Sequence, residues 1–285
     1  MSYKIITDSC CDLTEQMARE LEIHIAPLGV DREGEFFEDR TMPAREFYAG
    51  MREGKVSTTS AVNPQGWTKV MEPILSGGED VLVLAFSSGL STTYQSAVIA
   101  AEEMQDKYPG QKVLVADTLC ASVGQGLLIW YASQLRREGR SMEDVYQWVL
   151  DNRLKVAHWV SVEDLKYLKR GGRISATTAV VGTMLSIKPL IHVNDEGKLD
   201  SVAKARGRKA SLNALCQKVE QSALPEGLER VFIGHADCME DAQYMAQQCR
   251  EKYGVKEVVL SDIGSVIGSH VGPGGIVLCF LASQR

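Results

Sequence analysis

The sequence predicts an α/β protein built as two α/β units: an amino-terminal one around a mainly parallel sheet, and a carboxy-terminal one around a mixed sheet. Three observations carry this. Short apolar runs of strand length recur through the first half with helical patterns between them. Such strand, helix, strand repetition gives parallel sheets flanked by helices. From about Val156 the pattern changes, and the turn signal Asn194-Asp195-Glu196-Gly197 joins two apolar runs through a short loop, as an antiparallel hairpin does. The chain's 285 residues are enough for two domains of ordinary size. The expected division is 1–155 and 156–285.

In the first unit, strands are expected at Lys4 to Thr7, Ile23 to Val30, Val81 to Phe86 and Val113 to Ala116. A further run at Val156 to Val160 opens the second unit. It is followed by Lys188 to Val193, Leu199 to Ala203, Arg230 to Ala236, Glu257 to Ser261 and Ile276 to Leu281, with helices near Ser211 to Ser222 and Asp241 to Tyr253. Three of the early runs end in polar residues: Thr7-Asp8-Ser9, Ser87-Ser88-Gly89 and Asp117-Thr118. Ligands of open α/β sheets bind at the carboxyl ends of strands, so these ends are candidates to converge on one site. The plainer role for Asp8 and Asp117 is to cap or turn the chain.

Composition bounds the class. Hydrophobic residues make up 45% and charged residues 24%, as in a soluble globular protein. A net charge of -6 gives no global attraction to nucleic acid or to an anionic membrane. No segment has transmembrane length and the start lacks the layout of a signal peptide, which points to the cytoplasm. The 7 cysteines are scattered with no C-x-x-C pair, so neither a disulfide framework nor a zinc site is indicated.

The most informative stretch is Ser87-Ser88-Gly89-Leu90-Ser91-Thr92-Thr93-Tyr94-Gln95-Ser96-Ala97. It follows an apolar run and leads into residues with helical spacing at Tyr94, Ala97, Val98 and Ala101. A hydroxyl-rich turn feeding a helix start offers free N–H groups and the positive end of the helix dipole, which suits a carboxylate or phosphate. Ser91 as a simple N-cap is the alternative. Ser57-Thr58-Thr59-Ser60-Ala61-Val62-Asn63-Pro64 reads as a second hydroxyl loop before a helix. Hydroxyls can hold an anion without burying a full positive charge. His270 sits in Ser269-His270-Val271-Gly272-Pro273-Gly274-Gly275, where glycines bring backbone close to a neighbour. Cations concentrate in Leu168-Lys169-Arg170-Gly171-Gly172-Arg173-Ile174-Ser175 and in Lys204-Ala205-Arg206-Gly207-Arg208-Lys209. Without interleaved aromatics these patches do not read as nucleic-acid sites. A solvated face or a docking patch for an acidic partner is the better fit. The phosphate-binding P-loop, the G-x-S-x-G elbow and the H-E-x-x-H zinc helix are all missing. A serine hydrolase assembled from Ser91, His270 and Asp8 or Asp117, acting on a lipid ester, is the alternative left by composition.

These landmarks resemble the DegV family, whose members bind a fatty acid. The matching segments are Ile6-Thr7-Asp8-Ser9, Thr59-Ser60, Ser88 to Ala97, Leu165-Lys166-Tyr167-Leu168-Lys169-Arg170-Gly171-Gly172-Arg173-Ile174, Ile187-Lys188-Pro189 and His270-Val271-Gly272-Pro273-Gly274, in the family's order along nearly the whole chain. The resemblance implies two α/β domains with a long-chain fatty acid buried at their junction. Its carboxylate would be held by Thr59 and Ser60, by Ser91 with the backbone at Thr92 and Thr93, and by His270. It further implies a carrier without catalysis of its own and without cofactor or metal. Such a protein serves as the fatty-acid-binding subunit of a bacterial fatty acid kinase and presents the carboxylate to a separate ATP-binding subunit that forms the acyl-phosphate. Lys204, Arg206, Arg208, Lys209 and Arg173 would then face that partner or its phosphate. Two departures stand out: Thr92 occupies a position that is often Gly, and Ala61-Val62-Asn63-Pro64 replaces the shorter Gln-Pro after Thr-Ser.

Overall fold

The computed structural model describes residues 2–174 and 186–285. Its thirteen strands are β1 Tyr3–Asp8, β2 Ile23–Ala26, β3 Gly29–Arg32, β4 Glu35–Glu38, β5 Ser57–Ser60, β6 Asp80–Ala85, β7 Val113–Asp117, β8 Val156–Ser161, β9 Ile187–Val193, β10 Leu199–Arg206, β11 Arg230–His235, β12 Glu257–Asp262 and β13 Ile276–Leu281. They form three sheets.

The first is parallel throughout, in the order β2-β1-β6-β7. Every residue of β6 is buried, as expected of a strand covered on both faces. Helices Pro64–Ser76 and Thr93–Lys107 pack on one another and on this sheet. The former starts where the sequence signals it: the Asn63 side chain caps Gly66 N–H and Pro64 occupies the first turn.

The run Ile23 to Val30 was expected to be one strand and is two. Pro27 has no N–H to donate, so pairing with β1 stops at Ala26 and the chain passes into a separate antiparallel sheet, β4-β3-β5. Ser57–Ser60, read from sequence as a loop, is strand β5 of that sheet, with Thr59 opposite Val30 and Ser60 opposite Gly29. Gly29 lies close against this strand: a Cβ there would stand 2.4 Å from Ser60 Oγ.

The third sheet is mixed, in the order β10-β9-β8-β13-β11-β12, with only β11 and β12 parallel. The hairpin joining β9 and β10 turns at Asn194–Gly197, where Gly197 has φ +74° and its N–H donates to Asn194 O at 2.8 Å. Strand β13 explains how the two halves join. Its Leu278 and Phe280 belong to the core under helices Arg208–Ser222 and Met239–Tyr253. Its Val277 and Cys279 face the other way, into a core shared with Ile5, Val83 and Leu127. Helix Ser122–Arg137 packs on that second face.

Candidate functional site

Between the parallel sheet's carboxyl edge and the mixed sheet lies a cavity of about 420 Å³. Much of its wall is apolar, from Leu28, Phe86, Val160, Val193, Val266 and Val277. The polar wall comes from a strand end, two loops and one helix. Thr59 and Ser60 close β5, Ser91 and Thr92 precede helix Thr93–Lys107, Arg173 follows helix Lys166–Arg170, and His270 rides on helix Ser265–Val271. Thr59 Oγ1 and His270 Nε2 are 2.9 Å apart. Arg173 donates through Nε to Leu90 O at 3.1 Å, beside Ser91, and through Nη1 to Gly171 O.

His270 was expected in a glycine-rich turn and is instead at the end of a seven-residue helix, with the glycines behind it. That helix is anchored across the molecule. Gly264 N–H donates to Asp12 Oδ1 at 2.8 Å, Val266 N–H to Asp39 Oδ1 at 3.1 Å, and Tyr48 O–H to Ile263 O at 2.8 Å. A Cβ on Gly268 would stand 2.4 Å from the Tyr48 hydroxyl. Carboxyl oxygens at the start of a helix satisfy N–H groups that have no partner within it. Asp12 also accepts from Ser122 Oγ at 2.6 Å. Burial pushes the Asp12 carboxyl up to about 7 and raises Asp39 in the same direction.

Burial, reinforced by the Arg173 guanidinium, pushes His270 down to about 4, so the ring is neutral at physiological pH. Arg173 is itself lowered by burial. The polar wall therefore offers neutral hydroxyl and imidazole groups and a single guanidinium.

Of the residues expected to meet a carboxylate, Thr59, Ser60, Ser91, Thr92 and His270 all line the cavity. Thr93 is fully buried behind Ser91: its hydroxyl is 2.8 Å from Ser91 Oγ, and its N–H donates to the same oxygen at 3.2 Å. Arg173, expected to face a partner or a phosphate, lies on the cavity wall. Lys204 and Arg206 are exposed on β10, an edge strand, and Lys209 is exposed at the start of the next helix. Arg208 is half-buried in ion pairs with Asp241 at 2.7 Å and Glu163 at 3.4 Å. Ser175, next to the first basic motif, lies outside the described residues.

Asp8 and Asp117 take the plainer role. Asp8 accepts from Phe86 N–H at 2.7 Å and Cys10 N–H at 3.1 Å, and Asp117 from Ser88 N–H at 3.2 Å. His270 bonds Thr59 and Ser91 bonds Thr93, so no serine-histidine-aspartate relay is assembled from these residues.

Several wall residues were not singled out from sequence, and His158 is the titratable one among them. His158, on β8, is buried and pushed down to about 3 by burial. Its Nδ1 lies 2.8 Å from Val156 O and its Nε2 accepts from Ala121 N–H at 3.3 Å, so the ring is neutral with Nδ1 protonated. It shares a strand face with Val156 and Val160 in an apolar run, and that was its sequence signal. No group of three His, Cys, Asp or Glu side chains among the described residues could hold a metal ion, and no described helix is long and apolar enough to cross a membrane.

Two α/β units enclosing a largely apolar cavity with one polar wall make the architecture of a binding protein for an amphipathic molecule. The family model described as "Uncharacterised protein, DegV family" matches residues 2–283, and the chain belongs to the DegV family. A DegV domain-containing protein of Clostridium perfringens is 42% identical over 99% of this chain and 98% of its own length. Among solved structures, a DegV family protein from Thermus thermophilus, described by its fatty acid binding, superposes with a TM-score of 0.88 at 31% identity, covering 99% of this chain and 100% of that one. The Fatty Acid Kinase (Fak) B3 protein of Streptococcus pneumoniae, loaded with linoleic acid, shares the fold with a TM-score of 0.86 at 20% identity over 99% of each chain.

Proposed function

We propose that this protein binds one long-chain fatty acid in the cavity and presents its carboxylate to a separate ATP-dependent kinase subunit, which converts it to the acyl-phosphate. The observation that carries the reading is the clustering of Thr59, His270, Ser91 and Arg173 on one wall of a largely apolar cavity. Burying an alkyl chain gains about 0.8 kcal/mol per methylene, on the order of 10 kcal/mol for a sixteen-carbon tail before ordering losses. A carboxylate cannot follow the tail out of water unless donors receive it. Thr59, Ser60, Ser91 and the backbone at Thr92 would supply them, with Arg173 as the counter-charge and His270 holding Thr59. Thr93 acts from behind, by fixing Ser91.

In this reading the chain divides into domains 1–155 and 156–285 and the ligand occupies their junction. It is a cytoplasmic carrier that needs no cofactor and leaves the chemistry to its partner. The fatty acid binding described for the Thermus thermophilus relative supports the ligand class. The kinase step draws on the family resemblance of the motifs and on the basic edge of Lys204 and Arg206, a local positive patch on a chain of net charge -6.

Calorimetric titration of delipidated protein with stearate and with octadecanol tests the ligand assignment. Stearate is expected to bind tightly and the alcohol far more weakly, because only the acid uses the polar wall. Equal affinities would contradict a carboxylate site.

A further inference from the structure

The turn after helix Lys166–Arg170 and the turn after helix Ser265–Val271 interlock through two glycines. A Cβ on Gly272 would lie 2.2 Å from Tyr167 Cδ2, and one on Gly171 would lie 2.0 Å from His270 Nδ1. The same Gly171 Cβ would be 2.7 Å from His270 Cε1 and 3.3 Å from Cγ, so the approach is to the nitrogen at the edge of the ring. The hydrogen that glycine carries in that direction therefore points at Nδ1. Among the described residues Nδ1 is buried without a hydrogen-bond partner, while Nε2 sits against Thr59 Oγ1. A proton on Nδ1 would collide with the glycine hydrogen and remain a buried unpaired donor. A lone pair there accommodates the C–H without conflict. The charged group facing the ring is Arg173, which opposes a second proton.

We infer that Gly171 is a positioning residue that holds His270 as the neutral Nε2–H tautomer. His270 then donates to Thr59 Oγ1, and the Thr59 hydroxyl is left to donate its own proton into the cavity. Its receiver is the ligand carboxylate, a step that rests on the fatty-acid reading above. This accounts for a glycine at a position whose backbone does not ask for one: Gly171 has φ -72° and ψ -7°, open to any residue. The three heavy atoms that a side chain there would meet first all belong to the imidazole.

Nitrogen-15 NMR of histidine-labelled, lipid-free protein, with His270 assigned by comparison with His270→Gln, tests the tautomer without any ligand. The expected result is a protonated Nε2 and an unprotonated Nδ1 that do not titrate between about pH 5 and 8. A protonated Nδ1, or an imidazolium in that range, overturns the inference. Stearate affinity then tests the positioning role. Gly171→Ala should weaken binding at least about tenfold in the native background and less than about twofold in His270→Ala, because the three atoms nearest the new methyl all belong to the ring. Equal losses in both backgrounds would mean that Gly171 acts on something other than His270. If native protein ignores stearate altogether, the fatty-acid reading fails while the NMR result still decides the tautomer.

Discussion

Thr59→Val is the sharpest probe of the polar wall, because it exchanges one hydroxyl for a methyl at constant shape in a strand that favours both residues. The hydroxyl is shared: it accepts from His270 Nε2 at 2.9 Å and is free to donate toward the cavity. Two separable losses follow. The bound carboxylate loses a charge-assisted hydrogen bond of about 1.5 to 3 kcal/mol, equivalent to roughly a 10- to 150-fold weaker Kd for stearate. The unpaired Nε2–H is present with and without ligand, so it cancels from affinity and costs about 1 to 3 kcal/mol of folding stability instead. Calorimetric titration reads the first and thermal melting of lipid-free protein the second, and Thr59→Ser, which keeps the hydroxyl, should restore most of both. If Thr59→Val binds stearate as tightly as the native protein, the carboxylate is not held at Thr59 and the account of the site is wrong.

The Asp12 carboxyl makes a second prediction, with a definite sign. Its value in the folded protein is raised from 3.8 to about 7, so the stability it contributes is fully present below about pH 4 and is lost as pH rises through 7. The difference amounts to as much as about 4 kcal/mol. His158 and His270 act oppositely, losing stability as pH falls from 6.5 toward about 3 and about 4, and Asp8, also raised to about 7, acts in the same sense as Asp12, so the Asp12 effect must be isolated by comparing variants. Asp12→Asn should gain on the native protein steadily between pH 4 and 7 in urea denaturation and no further above it; parallel curves would contradict the protonated carboxyl. On the basic edge, Arg206→Glu should slow acyl-phosphate formation with an added kinase subunit, most at low ionic strength, while stearate affinity stays unchanged. A loss of stearate affinity equal to the loss of turnover would move Arg206 into the lipid site. Arg208→Glu should instead lower the melting temperature, since its ion pairs with Asp241 and Glu163 would be broken.

Periodicity made the parallel sheet and the β9–β10 hairpin legible, since fully buried strands read as apolar runs and Asn194–Gly197 carries turn chemistry. The small antiparallel sheet was opaque for the converse reason. Residues of β4 and β5 are largely solvent-facing, so Glu35–Glu38 and Ser57–Ser60 show no apolar alternation, and only Pro27 marked where β2 ends. At the site, hydroxyl density and an isolated histidine beside glycines pointed to Thr59, Ser91 and His270. What holds them was hidden: Asp12 and Asp39 reach the His270 helix from about 250 and 230 residues away in sequence, and a single chain carries no sign of such pairings. Arg173 was legible as a cation that would face a partner or a phosphate but not as part of the cavity wall, because the side to which a residue after Gly171-Gly172 turns depends on packing between the two halves.

Native mass spectrometry of the freshly purified protein, followed by solvent extraction and identification of the lipid, bears most directly on the central claim. The account predicts one long-chain fatty acid per chain, retained in the native protein and depleted in Thr59→Val. A protein that carries no acyl chain, and that takes up none when stearate is supplied, would contradict it.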